Sequence, residues 1–102
     1  MVQCVSILGS TGSIGRQSLD IIRRLPGIRV AALTAGTNVE RMAQQCREFF
    51  PKLAVMATQE AAQALAERIK GLPIRVNFGE AGLMEAASLE EADCVITAVV
   101  GM

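Results

Sequence analysis

Three glycines lie three residues apart in the stretch GSTGSIG, at positions 9, 12 and 15. The residues before it, 2–8, are apolar and predict a strand, whereas residues 13–25 have the apolar spacing of a helix. A chain that passes from a strand into a helix within so few residues needs backbone angles that glycine adopts more readily than other residues. The stretch therefore predicts a strand, a tight turn and a helix, the unit from which parallel sheets are built.

Each glycine has its own predicted role in this turn. Gly9 makes the sharp turn, and Gly15 allows the helix to lie close to the strand. Gly12 lets a pyrophosphate approach the main chain, where the N–H groups of the first helical turn attract an anion. The side chains between the glycines are hydroxyls, which we expect to donate to the same phosphates: Ser10, Thr11 and Ser13.

The pattern GxxGxxG differs from the commoner dinucleotide pattern GxGxxG, so a structural turn without a ligand is the alternative interpretation. The motif lies between the first strand and the first helix, where a doubly wound sheet places its phosphate site. This position favours nucleotide binding.

The alternation of strand and helix repeats along the whole chain. Further strands are predicted at residues 29–35, 53–57, 74–78 and 94–100, and helices begin after Asn38, after Thr58 and at Glu80. Short connections between alternating elements predict an α/β fold, a doubly wound Rossmann-like parallel sheet with helices on both faces, ending after the fifth strand. With 51% apolar residues, the 102 residues suffice for one domain.

Burial is predicted from the same apolar patterns. In the first helix we expect an inward face of apolar and small side chains: Ile14, Ser18, Ile21, Ile22 and Leu25. The last strand is an unbroken apolar run, so we expect it to be covered on both faces. The three cysteines lack metal-binding spacing and are expected to be buried, reduced thiols: Cys4, Cys46 and Cys94.

The end of the second strand bears on the choice between NAD and NADP. An Asp or Glu there would hold the ribose 2′-hydroxyl of NAD, but the segment reads TAGTN and has no carboxylate. NADP is therefore favoured. Arg41 is a candidate for the 2′-phosphate, although a solvated helix charge is an equal alternative and Glu40 is an acidic neighbour. Arg16, beside the glycine stretch, is a second candidate for cofactor contact.

Composition excludes several function classes. There is no histidine, tyrosine or tryptophan in the chain, so the commonest general base and the phenol of many reductases are absent. Ten basic residues balance ten acidic ones, so no field for nucleic acid is expected. No apolar run reaches the ~18 residues of a membrane span. We expect a soluble, intracellular protein without a nucleic-acid or membrane partner.

Three segments, ILGSTGSIG, ALTAGTNVERMAQQCREFFPKLAVM and the closing ITAVVGM, resemble the N-terminal part of the 1-deoxy-D-xylulose 5-phosphate reductoisomerase family. The resemblance implies an NADPH-dependent enzyme that converts this small-molecule substrate to 2-C-methyl-D-erythritol 4-phosphate in the non-mevalonate isoprenoid pathway. It also implies assistance by Mg²⁺ or Mn²⁺, a homodimer when the protein is full length, and a location in the cytoplasm, or in a plastid in a plastid-bearing organism.

The resemblance further implies a set of cofactor contacts. The pyrophosphate is expected at Thr11, Gly12, Ser13 and Ile14. The adenosine ribose and its phosphate are expected at Gly36, Thr37 and Asn38, although many family members carry a basic residue where this chain has Thr37. Ala98 and Val99 are expected on the nicotinamide side.

No catalytic residue and no metal ligand is assigned to this chain, because the resemblance implies that the catalytic and metal-binding residues of the family lie beyond Met102. Residues 1–102 are thus expected to be a fragment, the NADPH-binding domain without the catalytic and C-terminal domains, and to be inactive alone. Two alternatives stay open: a domain of another NADP-dependent oxidoreductase, and a stand-alone module that binds or senses a nucleotide.

Overall fold

A computed structural model describes residues 3–97 of the chain. Strands and helices alternate from its beginning to its end. The strands are β1 (Cys4–Leu8), β2 (Arg29–Thr34), β3 (Leu53–Met56), β4 (Arg75–Phe78) and β5 (Cys94–Thr97). The helices are α1 (Ser13–Arg24), α2 (Val39–Phe49), α3 (Gln59–Arg68) and α4 (Gly79–Ala87).

The strands form one sheet in the order β4-β3-β2-β1-β5, and all neighbouring pairs are parallel. The chain steps outward from β1 to β4, then returns across the sheet to place β5 on the other side of β1. This reversal is the topological switch of a doubly wound sheet, where ligands bind outside the carboxyl ends of the strands. The predicted fold class is confirmed.

Helices cover both faces of the sheet. Helices α1, α2 and α3 share one apolar core with the central strands, including Ile7, Leu33 and Met56. Helix α4 packs on the opposite face, where Ala86 meets Leu53 and other strand residues. Right-handed crossovers that step in one direction put their helices on one face, and the return step puts the next helix on the other.

The predicted inward face of α1 is wrong except at Ile22. The buried residues of α1 are Gly15, Leu19 and Ile22, whereas Ile14 and Ile21 are 52% and 58% exposed. The cause is the glycine at position 15, which has to face the preceding loop. Because residues four and seven positions further share its side of the helix, Leu19 and Ile22 enter the core. Two other residues predicted to face inward also lie outside the core: Leu25 is exposed and Ser18 is half-buried.

The predicted burial of the last strand and of all three cysteines is only partly confirmed. Cys4 and Cys46 are buried, and burial raises the pKa of the Cys46 thiol to about 12. Cys94 is exposed, as are most residues of β5, because this strand has a neighbour on one side only in the described sheet. An apolar run does not reveal whether its strand lies inside a sheet or at its edge. Residues 98–100 of the predicted strand lie outside the described residues.

Candidate functional site

The turn after β1 has the geometry that its first glycine predicts. Gly9 adopts a φ of 88°, in the left-handed region that favours glycine. Its N–H and that of Ser10 both donate to the carbonyl of Thr34, at 3.0 and 2.7 Å. The Gly9 N–H also lies 3.0 Å from the Thr34 hydroxyl oxygen. The turn is therefore fastened to the end of β2.

Helix α1 begins in close contact with this turn. A Cβ atom placed on Gly15 would lie 2.1 Å from the Gly9 carbonyl oxygen, so only glycine allows this approach. A Cβ on Gly12 would meet nothing nearer than the same oxygen, at 3.7 Å. The predicted role of Gly15 is confirmed, and the space above Gly12 is open to an approaching group.

The N-terminus of α1 differs from those of α2 and α3. Asn38 caps α2 and Thr58 caps α3 with side-chain oxygens, and both helices carry a glutamate in their first turn. The N-cap of α1 is Gly12, which has no side chain to cap the helix, and the first turn of α1 contains no acidic residue. Since the first N–H groups of a helix lack partners within it, this end is suited to an external anion.

A cavity of about 640 Å³ opens at the carboxyl ends of the strands, directly beside this helix end. Its lining comes from the turns after β1, β2 and β3 and from the start of α4. The residues are Gly9, Thr11, Gly12, Ser13, Ile14, Thr34, Ala35, Gly36, Val55, Met56, Ala57, Gly79, Glu80 and Leu83. The volume is in the range of small-molecule and cofactor sites.

Most of the predicted contact residues come together in this cavity. Five of the seven line it, and they are Thr11, Gly12, Ser13, Ile14 and Gly36. Thr37 and Asn38 lie exposed beside it at the start of α2. The Asn38 side chain is already engaged, since its oxygen accepts from the Arg41 N–H at 3.2 Å. Ala98 and Val99, expected on the nicotinamide side, lie outside the described residues.

Sequence reasoning missed one wall of the cavity. This wall is largely apolar and joins the end of β3 to α4 through Val55, Met56, Ala57 and Leu83. Nothing in these residues suggests chemistry, but the rule that parallel strands end at one edge would have placed residues 55–57 beside the glycine turn. Helix α4 reaches the cavity because Gly82 lets it approach the sheet, where an added Cβ would lie 2.8 Å from a Val55 methyl carbon.

Ser10 has a different role from the one predicted. Its side chain is fully buried rather than directed at phosphates. The hydroxyl donates to Oε1 of Gln45 at 2.7 Å, and Nε2 of Gln45 donates to the Ser10 carbonyl at 2.8 Å. Helix α2 therefore holds the glycine turn through both hydrogen bonds of one buried amide.

We expect Gln45→Met to lower the free energy of unfolding by about 1–3 kcal/mol, the cost of leaving buried polar groups without partners. Methionine keeps the length of the side chain but neither donates to the Ser10 carbonyl nor accepts well from its hydroxyl. The matched control is Gln44→Met, at the exposed neighbouring position, with an expected change within about 0.5 kcal/mol. Urea unfolding measures both, and equal stabilities of the two variants would contradict the role given to Gln45.

Two kinds of feature are absent from residues 3–97. No group of three His, Cys, Asp or Glu side chains is placed to hold a metal ion. In the same part of the chain, no helix has both the length and the apolar character needed to cross a bilayer.

Comparisons with a family model and with known sequences both point to one enzyme family. The family described as 1-deoxy-D-xylulose 5-phosphate reductoisomerase matches residues 5–102. The reductoisomerase of Lachnospira eligens is 51% identical over 98 residues, which cover 96% of this chain and 26% of the relative. That of Heliobacterium modesticaldum is 51% identical over 104 residues, covering 99% and 27%. The chain thus spans about a quarter of the length of these relatives.

Solved structures agree with the sequences. The reductoisomerase of Zymomonas mobilis in complex with NADPH superimposes with a TM-score of 0.89 at 36% identity, covering 99% of this chain and 27% of that one. A reductoisomerase in complex with NADPH, fosmidomycin and magnesium gives 0.91 at 36% identity, covering 97% and 25%. The glycine turn, the switched sheet and these matches lead to one conclusion: the chain belongs to the 1-deoxy-D-xylulose 5-phosphate reductoisomerase family.

Proposed function

We propose that this chain is the NADPH-binding domain of an enzyme that converts 1-deoxy-D-xylulose 5-phosphate to 2-C-methyl-D-erythritol 4-phosphate in the non-mevalonate isoprenoid pathway. The observation that carries the proposal is the N-terminus of α1, which has no side-chain cap and opens into the cavity at the carboxyl ends of the strands. NADPH supplies the hydride for the reduction. The residues of this chain bind and orient the cofactor.

The first half of the proposed binding site is the glycine turn. The N–H groups of the first turn of α1, at Ser13 and Ile14, hold the pyrophosphate together with the positive end of the helix. Gly12 permits this approach, because a Cβ there would occupy the open space in front of the turn. The Thr11 and Ser13 hydroxyls are the further donors, and both residues line the cavity.

The second half lies at the end of β2. Gly36, Thr37 and Asn38 connect β2 to α2 and are proposed to contact the adenosine ribose and its phosphate. The apolar wall formed by Met56, Ala57 and Leu83 is suited to the flat face of adenine, since cofactor sites combine apolar walls with a few polar groups. Two features make the cavity suited to NADPH: the open space at Gly12, and the division of its lining into a polar and an apolar side.

The chemical step is assigned to residues outside this chain. The 102 residues contain no histidine or tyrosine, and residues 3–97 hold no cluster of metal ligands. In the proposed enzyme, Mg²⁺ or Mn²⁺, the small-molecule substrate and the homodimer partner are bound by other parts of the protein. The relatives named above are bacterial, which supports a cytoplasmic location.

An NMR titration of the isotope-labelled chain with NADPH tests the proposal. We expect amide shifts at Thr11 to Gly15 and at Gly36 to Asn38, saturating in the millimolar range, which corresponds to about 4 kcal/mol of binding free energy. We expect no turnover of 1-deoxy-D-xylulose 5-phosphate by the chain alone. Shifts confined to the opposite edge of the sheet, around Arg29 and Phe50, or no shifts at all would contradict the proposed site.

A further inference from the structure

A polar groove of about 460 Å³ runs between α1 and α2. It begins at Ser13, which also lines the proposed cofactor cavity, so the groove and the cavity adjoin. From there it continues past Arg16 and Arg41 towards Asp20, Arg23 and Glu48.

The charges along this groove are unevenly paired. At the end far from the glycine turn, Arg23 makes ion pairs with Asp20 and Glu48. Arg24 also pairs with Asp20, so two arginines balance two carboxylates at that end. At the near end, neither Arg16 nor Arg41 forms an ion pair with any of the described residues. Two positive charges thus stand beside the two loops that form the proposed site.

The acidic neighbour of Arg41 does not neutralise this end. Glu40 is directed towards α3, where its Oε1 lies 3.4 Å from a guanidinium nitrogen of Arg68. Arg16 in turn is held over the glycine turn, since its Nε donates to the Gly12 carbonyl at 3.4 Å. In the sequence, Glu40 argues against a phosphate contact at its neighbour Arg41. In the structure, Glu40 pairs with Arg68 instead, so this argument no longer applies.

Both arginines occupy positions that a helix by itself disfavours. Arg41 lies in the first turn of α2 and Arg16 at the fourth residue of α1. Cations near a helix N-terminus face the positive end of the helix dipole. An anion bound between the two helix ends would offset this repulsion.

We propose that Arg41, assisted by Arg16, binds the 2′-phosphate of NADPH and so determines the preference of this chain for NADPH over NADH. The inference rests on the proposed function. A phosphate contact at Arg41 explains how the chain recognises the 2′-phosphate although Thr37, at the expected contact position, is uncharged. A guanidinium donates two parallel hydrogen bonds to a phosphate, whereas the hydroxyl that NADH carries at the same place offers no charge.

The test compares NADPH and NADH as ligands of the wild-type chain and of Arg41→Gln, by the same NMR titration. We expect the wild type to prefer NADPH. Arg41→Gln should lose about tenfold in affinity for NADPH, as for one charged hydrogen bond, with its affinity for NADH unchanged. Arg16→Gln should show a smaller loss in the same direction. Arg41→Lys, which keeps the charge, should retain part of the preference.

The control is Arg47→Gln, at the opposite end of α2, where the Arg47 side chain donates to the Arg68 carbonyl. It should leave both affinities unchanged. A wild type that binds both cofactors equally, or an Arg41→Gln variant that loses affinity for both or for neither, overturns the inference and leaves the proposed function standing. A wild type that binds neither cofactor overturns the proposed function and the inference with it.

Discussion

Gly15→Ala is expected to destabilise the fold strongly. The new Cβ would lie 2.1 Å from the Gly9 carbonyl oxygen, 2.7 Å from the Ser10 Cα and 2.9 Å from the Gly9 carbonyl carbon. All three are backbone atoms, so no side-chain rotation relieves the overlap. Helix α1 has to move away from the turn, which separates Leu19 and Ile22 from the core. We expect a loss of at least about 3 kcal/mol in the free energy of unfolding.

Urea unfolding followed by circular dichroism measures this loss. The matched control is Gly36→Ala, in the turn after β2, where an added Cβ meets nothing within 4 Å and φ is not positive. Its free energy of unfolding should stay within about 0.5 kcal/mol of the wild type. If Gly15→Ala unfolds at the same urea concentration as this control, then α1 does not lie against the turn as described.

The parts of the site that the sequence predicted are those that local chemistry determines. A turn from strand to helix within four residues requires the positive φ of Gly9, and the close approach of the helix requires Gly15. Alternating strands and helices with short connections permit few topologies, and a parallel sheet is the one that this pattern predicts. For these reasons the sequence predicts the fold class and five of the seven expected contact residues that line the cavity.

The parts that were missed depend on contacts between residues far apart in the chain. The Ser10 hydroxyl is turned inward by Gln45, thirty-five residues later, and a hydroxyl between glycines gives no sign of such a partner. The apolar wall at Met56 and Leu83 consists of ordinary core residues, and only the order of the strands brings it to the glycine turn. Pattern alone does not distinguish such a wall from a core.

The burial errors have a related origin. In α1, hydrophobicity alone selected Ile14 and Ile21, but the steric requirement at Gly15 sets the rotation of the helix and leaves both exposed. In β5, the apolar sequence predicts a strand buried on both faces, although Val95 is 38% exposed in the described sheet. Hydrophobic residues at a surface are common in folded proteins, so an apolar residue is weak support for burial.

Gly12→Ala is expected to separate binding from folding. Gly12 has a φ of −77°, which alanine adopts without strain, and an added Cβ would make only an ordinary contact, 3.7 Å from the Gly9 carbonyl oxygen. Alanine restricts the unfolded chain, which favours folding by up to about 1 kcal/mol, but it is a poorer N-cap than glycine by a similar amount. The free energy of unfolding should therefore stay within about 1 kcal/mol of the wild type. The same methyl group stands where the proposed pyrophosphate approaches the N–H groups of α1. We therefore expect at least about tenfold weaker NADPH binding.

The NMR titration and urea unfolding together decide this prediction. Gly12→Ala should give a folded spectrum with little or no shift at the NADPH concentration that half-saturates the wild type, whereas Gly15→Ala should unfold at a clearly lower urea concentration than the wild type. NADH should lose affinity for Gly12→Ala to the same extent, because both cofactors carry the pyrophosphate, and this equal loss distinguishes Gly12 from the 2′-phosphate contact proposed for Arg41. A folded Gly12→Ala chain that binds NADPH as tightly as the wild type would mean that the pyrophosphate does not lie on this turn, since a methyl group there leaves no room for it.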